Sequence, residues 1–281
     1  MTKVLTRNLT SYDFFKTAAI LLMLVDHVGD YFFEDQMWLR VVGRLCVPIW
    51  FFLIGYARSR DMGWRMWAGM AILVAANLVT GLGALPLNIL GTMLFIRWSI
   101  DYVMRGTQRD QNVFWAIFFI LSMLTVPTSF MFEYGVLGLI VAMFGYMVRA
   151  YQDGAERYGR PVSRNDVQVY MVASMFVFLL LQYVSFGFSH TQLMVLAAGI
   201  SVVMFLLYGF SFKEYPELTA RMPRPVVGFF QLFGRRTLEI YVIHLLIFKT
   251  AGLLFVADER FEFLRATIFS YGVMESFGLL D

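Results

Sequence analysis

The sequence predicts an all-α fold, a polytopic integral membrane bundle of about nine transmembrane helices, with eight to ten as the range. Three observations support this prediction. The 281-residue chain is 59% hydrophobic and only 15% charged, whereas soluble domains carry about 25% charged residues. Its apolar residues form runs close to the roughly 20 residues that a helix needs to cross a bilayer. Lysine and arginine concentrate in alternate loops between those runs.

The apolar runs give the positions of the spans to within about 2–4 residues. The predicted spans are residues 14–33, 38–57, 64–83, 86–104, 113–132, 134–151, 169–188, 192–211 and 238–256. The stretch 226–236, VVGFFQLFGRR, is typical of a short amphipathic helix at the membrane interface. Because the longest polar loop, residues 152–168, is too short to fold alone, residues 1–281 are predicted to form one transmembrane domain.

The distribution of basic residues predicts the topology. They flank the first span or follow every second span: Lys3, Arg7 and Lys16; Arg58, Arg60 and Arg65; Arg105 and Arg109; Arg149, Arg157, Arg160 and Arg164; Lys213, Arg221, Arg224, Arg235 and Arg236. By the positive-inside rule these loops and the N-terminus face the cytoplasm, and the C-terminus lies outside. We therefore expect a multi-pass inner-membrane protein, and the first span, which lacks a small-residue cleavage site, to be retained.

Composition also argues against several classes of partner and site. The formal net charge is only +3, and the basic residues are spread over short loops, so membrane lipids rather than nucleic acids are the expected surroundings. Cys46 is the single cysteine, which rules out an internal disulfide framework. No spacing of histidine, cysteine and carboxylate residues makes a convincing metal site, and none is expected.

Four charged residues interrupt the first two spans. In an antiparallel hairpin, facing residues have a constant sum of residue numbers, and Asp26 with Arg44 gives the same sum as Asp30 with Arg40. Residues four apart also share a helix face, and Gly43 would allow the two helices to approach closely. Two carboxylates are therefore predicted to face two guanidinium groups, and a purely structural ion-pair clasp is one interpretation of them.

His27 is not explained by such a clasp. It lies about 100° around the helix from Asp26, so the two side chains can border one cavity without bonding as neighbours. Histidine titrates near neutrality and can act as a general base. In the last span, His244 and the nearby Tyr241 are further candidates.

Other polar residues in or beside the spans receive structural interpretations. Arg97 and Asp101 are four residues apart and are predicted to pair with each other. Lys249 is predicted to extend toward the outer interface. Glu133 and Tyr134 fall in an outer loop, where solvation is the expected state.

The first hairpin reads LLMLVDHVGDYFF followed by LRVVGRLCVPIWFFLIG, and weaker motifs are NILGTMLF and EYGVLGLIVAMFGYMVR. In these motifs the chain resembles the TraX family of membrane acetyltransferases. The later LFGRRTLEIYVIHLLIF is similar to a span of broader transmembrane acyltransferases, with Thr237 where serine is commoner. The resemblance implies acetyl transfer from cytoplasmic acetyl-CoA, as co-substrate, to an acceptor amine or hydroxyl.

The resemblance also implies roles for particular residues. Asp26 and His27 become the catalytic pair, and Arg44, with Arg40, would hold that pair or an anionic group. His244 is a second candidate base. Asp30 and Tyr241, which lie close to these candidates in the sequence, are expected to support the site.

The same resemblance requires a site for the CoA phosphates. The basic candidates are Arg58, Arg60, Arg235 and Arg236. The implied acceptors are a pilin or other protein N-terminus, a glycan or a lipid headgroup.

Two other classes of function remain open from the residues alone. Intramembrane aspartate, histidine, arginine and lysine also mark the proton paths of transporters, so a proton-coupled carrier is the first alternative. A structural membrane assembly protein, in which the charges only pack helices together, is the second.

Overall fold

The computed structural model describes residues 6–256, 260–264 and 267–270 and is mainly α-helical. The helices are α1 Ser11–Phe32, α2 Met37–Gly43, α3 Cys46–Tyr56, α4 Trp64–Thr80, α5 Ile89–Gly106, α6 Gln111–Ser129, α7 Leu137–Gln152, α8 Arg164–Phe186, α9 His190–Tyr208, α10 Pro216–Arg221, α11 Arg224–Arg235 and α12 Thr237–Phe255. Four two-residue strands pair antiparallel, β1 (Leu9–Thr10) with β4 (Glu214–Tyr215) and β2 (Glu156–Arg157) with β3 (Arg160–Pro161).

A helix, or the pair α2–α3, lies at the position of every predicted span. Five stretches are long and apolar enough to cross a membrane: Met37–Tyr56, Gln111–Ser129, Arg164–Phe186, His190–Tyr208 and Thr237–Phe255. Two shorter helices, α4 and α7, are also apolar. The chain is therefore a multi-pass membrane protein by the length and composition of its helices, and the count of nine spans stays a prediction.

The basic loops meet at one end of the bundle. Arg58 forms an ion pair with Asp153 at 2.8 Å, and the Tyr158 amide donates to the Gln108 carbonyl at 2.8 Å. The strand pair β1–β4 joins the segment before α1 to the loop after α9 in the same way. We call this end of the bundle the basic end. Lys3 and much of the predicted outer tail (257–259, 265–266 and 271–281) lie outside the described residues.

At the opposite end, the intervening loops contact one another. The Leu87 amide donates to the Met131 carbonyl at 2.9 Å, and the Glu262 amide donates to the Thr80 carbonyl at 3.2 Å. Alternate loops thus lie at opposite ends, as the basic-residue pattern predicts.

Helix α1 is the central element of the site. Thr10 caps it through a reciprocal hydrogen-bonded capping box with Asp13. It packs against α2 and α3 on one side and α11 and α12 on the other. One helix therefore brings residues of both the first hairpin and the last span together.

The second predicted span is two helices with a break at Arg44 and Leu45. Pro48, in the first turn of α3, has no amide hydrogen, and its ring crowds the carbonyl four residues earlier, which is that of Arg44. The helical hydrogen-bond ladder is interrupted there. As a result, Arg44 lies at the junction between α2 and α3.

Candidate active site

A chain of ion pairs, which we call the charge cluster, joins α1 to the end of α2 and consists of Asp26, Asp30, Arg40 and Arg44. Arg44 Nε lies 3.4 Å from Asp26 Oδ1, and Arg40 Nη2 lies 3.3 Å from Asp30 Oδ1. Arg40 Nη1 also reaches Asp26 Oδ2 at 3.2 Å. Both predicted pairs are confirmed.

Close helix packing seals this cluster. A Cβ added at Gly43 would lie 2.3 Å from the Asp26 Cβ, so only glycine fits there. The Arg44 guanidinium donates to the Tyr134 hydroxyl and lies 4.3 Å from the centre of the Phe186 ring. The Arg44 side chain is only 7% exposed. Its donors are thus directed at protein groups.

A pair of histidines lies on the other side of α1. His27 Nδ1 is 2.8 Å from His244 Nε2 of α12, and the two rings are stacked with centroids 5.0 Å apart. His244 Nδ1 is in turn 2.8 Å from the carbonyl oxygen of Ile240. The sequence singled out both histidines but did not predict that they are hydrogen-bonded.

One cavity reaches His27 from the basic end; we call it the basic-end cavity. Its volume is about 830 Å³. Loop and helix-end residues Arg58, Asp61 and Arg235 line it near the basic end, and Asp26 and His27 line it deeper in the bundle. A molecule in this cavity can therefore contact both cationic side chains and the histidine.

A second cavity, the opposite-end cavity, reaches His27 from the other side of the bundle and has a volume of about 690 Å³. Asp30, Glu34 and Lys249 are among its polar lining residues. Both cavities are lined by the same three side chains: His27, Glu133 and Tyr241. These three side chains therefore lie where the two cavities approach each other.

The prediction that Glu133 and Tyr134 are solvated is wrong. The loop between α6 and α7 folds inward, and Glu133 Oε2 accepts a hydrogen bond from the Ile89 amide at 2.8 Å. Burial raises the pKa of the Glu133 carboxyl, although Arg44 and the Ile89 amide act in the other direction. Tyr134 receives the hydrogen bond from Arg44. These contacts have no periodic signal in the sequence because a loop has no repeat.

The predicted extension of Lys249 toward the interface is also wrong. The Lys249 ammonium donates to the Tyr31 hydroxyl at 2.7 Å, and the residue is 6% exposed. Tyr31 lies on α1 one turn beyond His27, as Lys249 follows His244 on α12. The packing of α12 on α1 therefore provides a partner that the single helix could not reveal.

Arg97 and Asp101 do not pair with each other. Arg97 Nη1 donates to the Asp61 carbonyl at 3.0 Å, and Asp101 forms an ion pair with Arg60 at 3.1 Å. The loop after α3 folds back over α5 and supplies both partners. A pair four residues apart on one helix contributes only a few tenths of a kcal/mol, so these tertiary contacts replace it.

Two of the four predicted phosphate-binding residues line the basic-end cavity. Arg58 has an 80% exposed side chain there. Arg235 also lines it, and its guanidinium is held by Asp13 at 3.1 Å. Arg60 and Arg236 are not among the lining residues; they pair with Asp101 and Glu239, respectively.

Lys16 and Arg97 line the same cavity but were not predicted to do so. A helical-face argument could have found both. Lys16, Met23 and His27 are spaced by seven and four residues on α1, and Met93 and Arg97 are four apart on α5. Among the described residues, no group of three or more histidine, cysteine or carboxylate side chains could hold a metal ion.

Comparison with known proteins identifies the family. The sequence profile of the family described as TraX protein matches residues 11–251. The chain is also 35% identical over 54 residues to "Uncharacterized protein RP591" of Rickettsia prowazekii (strain Madrid E), a match that covers 19% of this chain and 22% of that protein. No solved structure is significantly similar to this chain. The profile match spans helices α1 through most of α12, including the charge cluster and both histidines, and the chain belongs to the TraX family.

Proposed function

We propose that this protein is an inner-membrane acetyltransferase that moves an acetyl group from acetyl-CoA to an acceptor amine or hydroxyl. The observation that carries the proposal is that two cavities, from opposite ends of the bundle, both reach His27. A transferase acting across a membrane needs separate access for donor and acceptor to one reacting group. With the basic end in the cytoplasm, as the positive-inside rule favours, the N-terminus is cytoplasmic and the C-terminus lies outside.

Acetyl-CoA would occupy the basic-end cavity. Its phosphates require cationic partners, and four basic side chains line this cavity: Lys16, Arg58, Arg97 and Arg235. Deeper in the bundle the lining includes the apolar Met23, Leu90 and Met93, which suits an extended pantetheine arm. Acetyl-CoA supplies the acetyl group as a reactive thioester.

The acceptor would enter from the opposite-end cavity. The polar residues that line it include the carboxylates of Asp30 and Glu133 and the ammonium of Lys249. Such a mixed lining can orient a polar group beside His27. A protein N-terminus such as that of a pilin, a glycan hydroxyl and a lipid headgroup are the acceptor classes this allows.

His27 would act as the general base. As the acceptor nitrogen or oxygen bonds to the acetyl carbon, His27 takes its proton, and the carbon–sulfur bond breaks. The proton then passes from His27 to the departing CoA sulfur, so that His27 ends in its starting state. The Tyr241 hydroxyl, from a residue lining both cavities, is the candidate donor to the carbonyl oxygen as it gains negative charge.

The proposal is tested by calorimetry and turnover with detergent-purified protein. Wild type, His27→Ala and His190→Ala are titrated with acetyl-CoA, and acetyl transfer or acetyl-CoA hydrolysis is then measured. His190 is an exposed histidine at the start of α9 and serves as the matched control. We expect all three proteins to bind and only His27→Ala to lose turnover. Absence of binding to folded wild type would contradict the proposal.

A proton-coupled carrier is the second candidate, because cavities at opposite ends of buried titratable groups also suit alternating access. The two functions differ in their need for acetyl-CoA. Substrate flux into proteoliposomes without acetyl-CoA would favour the carrier. For a structural assembly protein, by contrast, His27→Ala should reduce the yield of folded protein, with no turnover in wild type.

A further inference from the structure

We propose that the hydrogen-bond chain Ile240–His244–His27 fixes the positions of the ring protons, so that Nε2 of His27 is the basic nitrogen and His244 is a positioning residue. This inference rests on the proposed acetyl transfer for its functional meaning. These positions of the ring protons, which we call the proton order, follow from geometry and can be measured without an activity assay. The proton order determines which of the two hydrogen-bonded histidines can take a proton from the substrate that receives the acetyl group.

The Ile240 carbonyl determines the first of the two proton positions. A carbonyl oxygen can only accept hydrogen bonds, and it lies 2.8 Å from Nδ1 of His244. The Nδ1 atom of His244 must therefore carry a hydrogen. Because Ile240 is one turn before His244 on α12, the helix backbone itself imposes this protonation.

One hydrogen is shared between Nε2 of His244 and Nδ1 of His27. A neutral imidazole carries one ring hydrogen, so His244 with its hydrogen on Nδ1 presents a bare Nε2. That bare nitrogen lies 2.8 Å from Nδ1 of His27. His27 must then donate from Nδ1, which leaves its own Nε2 without a hydrogen in the neutral ring.

The carboxylate next to His27 in the chain is already engaged. Asp26, the neighbouring carboxylate, is bound by Arg40 and Arg44 at 3.2–3.4 Å. It therefore does not take the orienting role that a carboxylate has in a serine-hydrolase triad. In this site His244, a neutral histidine bound to the Ile240 carbonyl, orients His27 instead.

This arrangement also suits the charged state of His27. When Nε2 accepts a proton, the Nδ1 hydrogen keeps its bond to the His244 lone pair, and no group has to turn. Groups that orient a metal-binding histidine through its other ring nitrogen typically change affinity or activity by about 10–100-fold when they are replaced, and we expect an effect of that order here. His244 should therefore act on the rate through His27 and leave acetyl-CoA binding unchanged.

The test is nitrogen-15 NMR of histidine-labelled protein. The chain has three histidines, so His190→Gln leaves only the signals of His27 and His244. We expect His27 to carry hydrogen on Nδ1 with Nε2 bare, and His244 likewise to carry it on Nδ1. A neutral His27 with hydrogen on Nε2 would overturn the inference.

Two variants test the positioning role. His244→Gln retains a side-chain oxygen that can accept from His27 Nδ1, whereas His244→Leu removes the acceptor. We expect His244→Leu to lower kcat by about 10–100-fold with KM for acetyl-CoA unchanged, and to give a mixture of His27 tautomers. His244→Gln should restore both the single tautomer and most of kcat. Equal loss in the two variants would contradict the positioning role.

The two proposals fail separately. Wild-type protein with the expected tautomers but without acetyl transfer would contradict the proposed function while the proton order stands. Active wild type with the reverse tautomers would overturn the inference and leave the transferase intact. If His244→Leu does not fold, the wild-type spectrum still decides the proton order.

Discussion

Asp26 and His27 are neighbours in the chain, yet they belong to two different regions of the molecule. Asp26 faces α2, where Gly43 and two arginines enclose it in the charge cluster. His27 faces α12 and lines both cavities. The charge cluster contains four charged side chains, but neither of its arginines is among the residues that line either cavity.

This difference separates stability from chemistry. The charge cluster joins α1 to the junction between α2 and α3, and its guanidinium groups are used by protein partners. The histidine pair joins α1 to α12 at the place where the two cavities approach each other. Substitutions in the charge cluster should therefore mainly lower the stability of the fold, and substitutions in the histidine pair should mainly lower turnover.

The largest expected effect is on turnover. His27→Ala should lower acetyl transfer by about 10²–10⁴-fold, which is the usual contribution of general base catalysis. The thermal midpoint in detergent should fall less than after a change in the charge cluster, because His27→Ala breaks one hydrogen bond and no ion pair. Steady-state rates and melting curves of the same preparations measure both quantities. A variant that melts early but keeps its rate per folded molecule would reverse the assignment.

The complementary change is Asp26→Leu in the charge cluster. It leaves Arg44 without a carboxylate partner in a buried site, and breaking such a pair costs about 3–5 kcal/mol. We expect a large drop in the thermal midpoint. Adding Arg44→Met to Asp26→Leu should recover part of it, since the double variant no longer buries that unpaired charge. A single variant as stable as wild type would show that the cluster does not hold the hairpin.

A smaller effect is expected at Gly43. Gly43→Ala places a Cβ within 2.3 Å of the Asp26 Cβ, and overpacking of this kind typically costs about 1–3 kcal/mol. Gly228→Ala is the matched control, because a Cβ at this helical glycine of α11 meets nothing within 4 Å. The difference in thermal midpoint between the two variants measures the close approach. Identical midpoints would contradict it.

The smallest effect is expected at the exposed edge of the basic-end cavity. Arg58→Ala should raise the Kd for acetyl-CoA by a factor of about 1.4 to 5, because an exposed charge pair contributes about 0.2–1 kcal/mol. The effect should shrink as salt increases. Calorimetry at two ionic strengths measures it, with Arg221→Ala, an exposed basic-end residue that does not line the cavity, as the control. Equal effects of the two changes would remove Arg58 from the donor site.

The sequence was sufficient for features that depend on local period. Helix positions followed from apolar length, and the pairs in the charge cluster followed from the geometry of one hairpin with a short turn. The side of the bundle on which each loop lies followed from charge. Each of these predictions needs only neighbouring segments, for which the chain itself sets the distance.

Features that depend on distant packing were not predictable in this way. His27 and His244 are 217 positions apart, and nothing in either helix indicates that α12 packs against α1. Glu133 lies in a loop whose inward fold is set by backbone hydrogen bonds to Leu87, just before α5, and by the hydrogen bond from the Ile89 amide to the Glu133 carboxylate. The sequence therefore identified candidates on single helices, while the site depends on how three separate segments meet.

The central claim, that the donor reaches His27 from the basic end, is tested most directly by the sidedness of acetyl-CoA binding. Radiolabelled acetyl-CoA, which does not cross membranes, is added to sealed vesicles of each orientation. Orientation is assigned with an impermeant maleimide at Arg109→Cys in a Cys46→Ser background. Saturable binding only where the basic end faces the added ligand is the predicted result. Binding only from the opposite end would contradict the account.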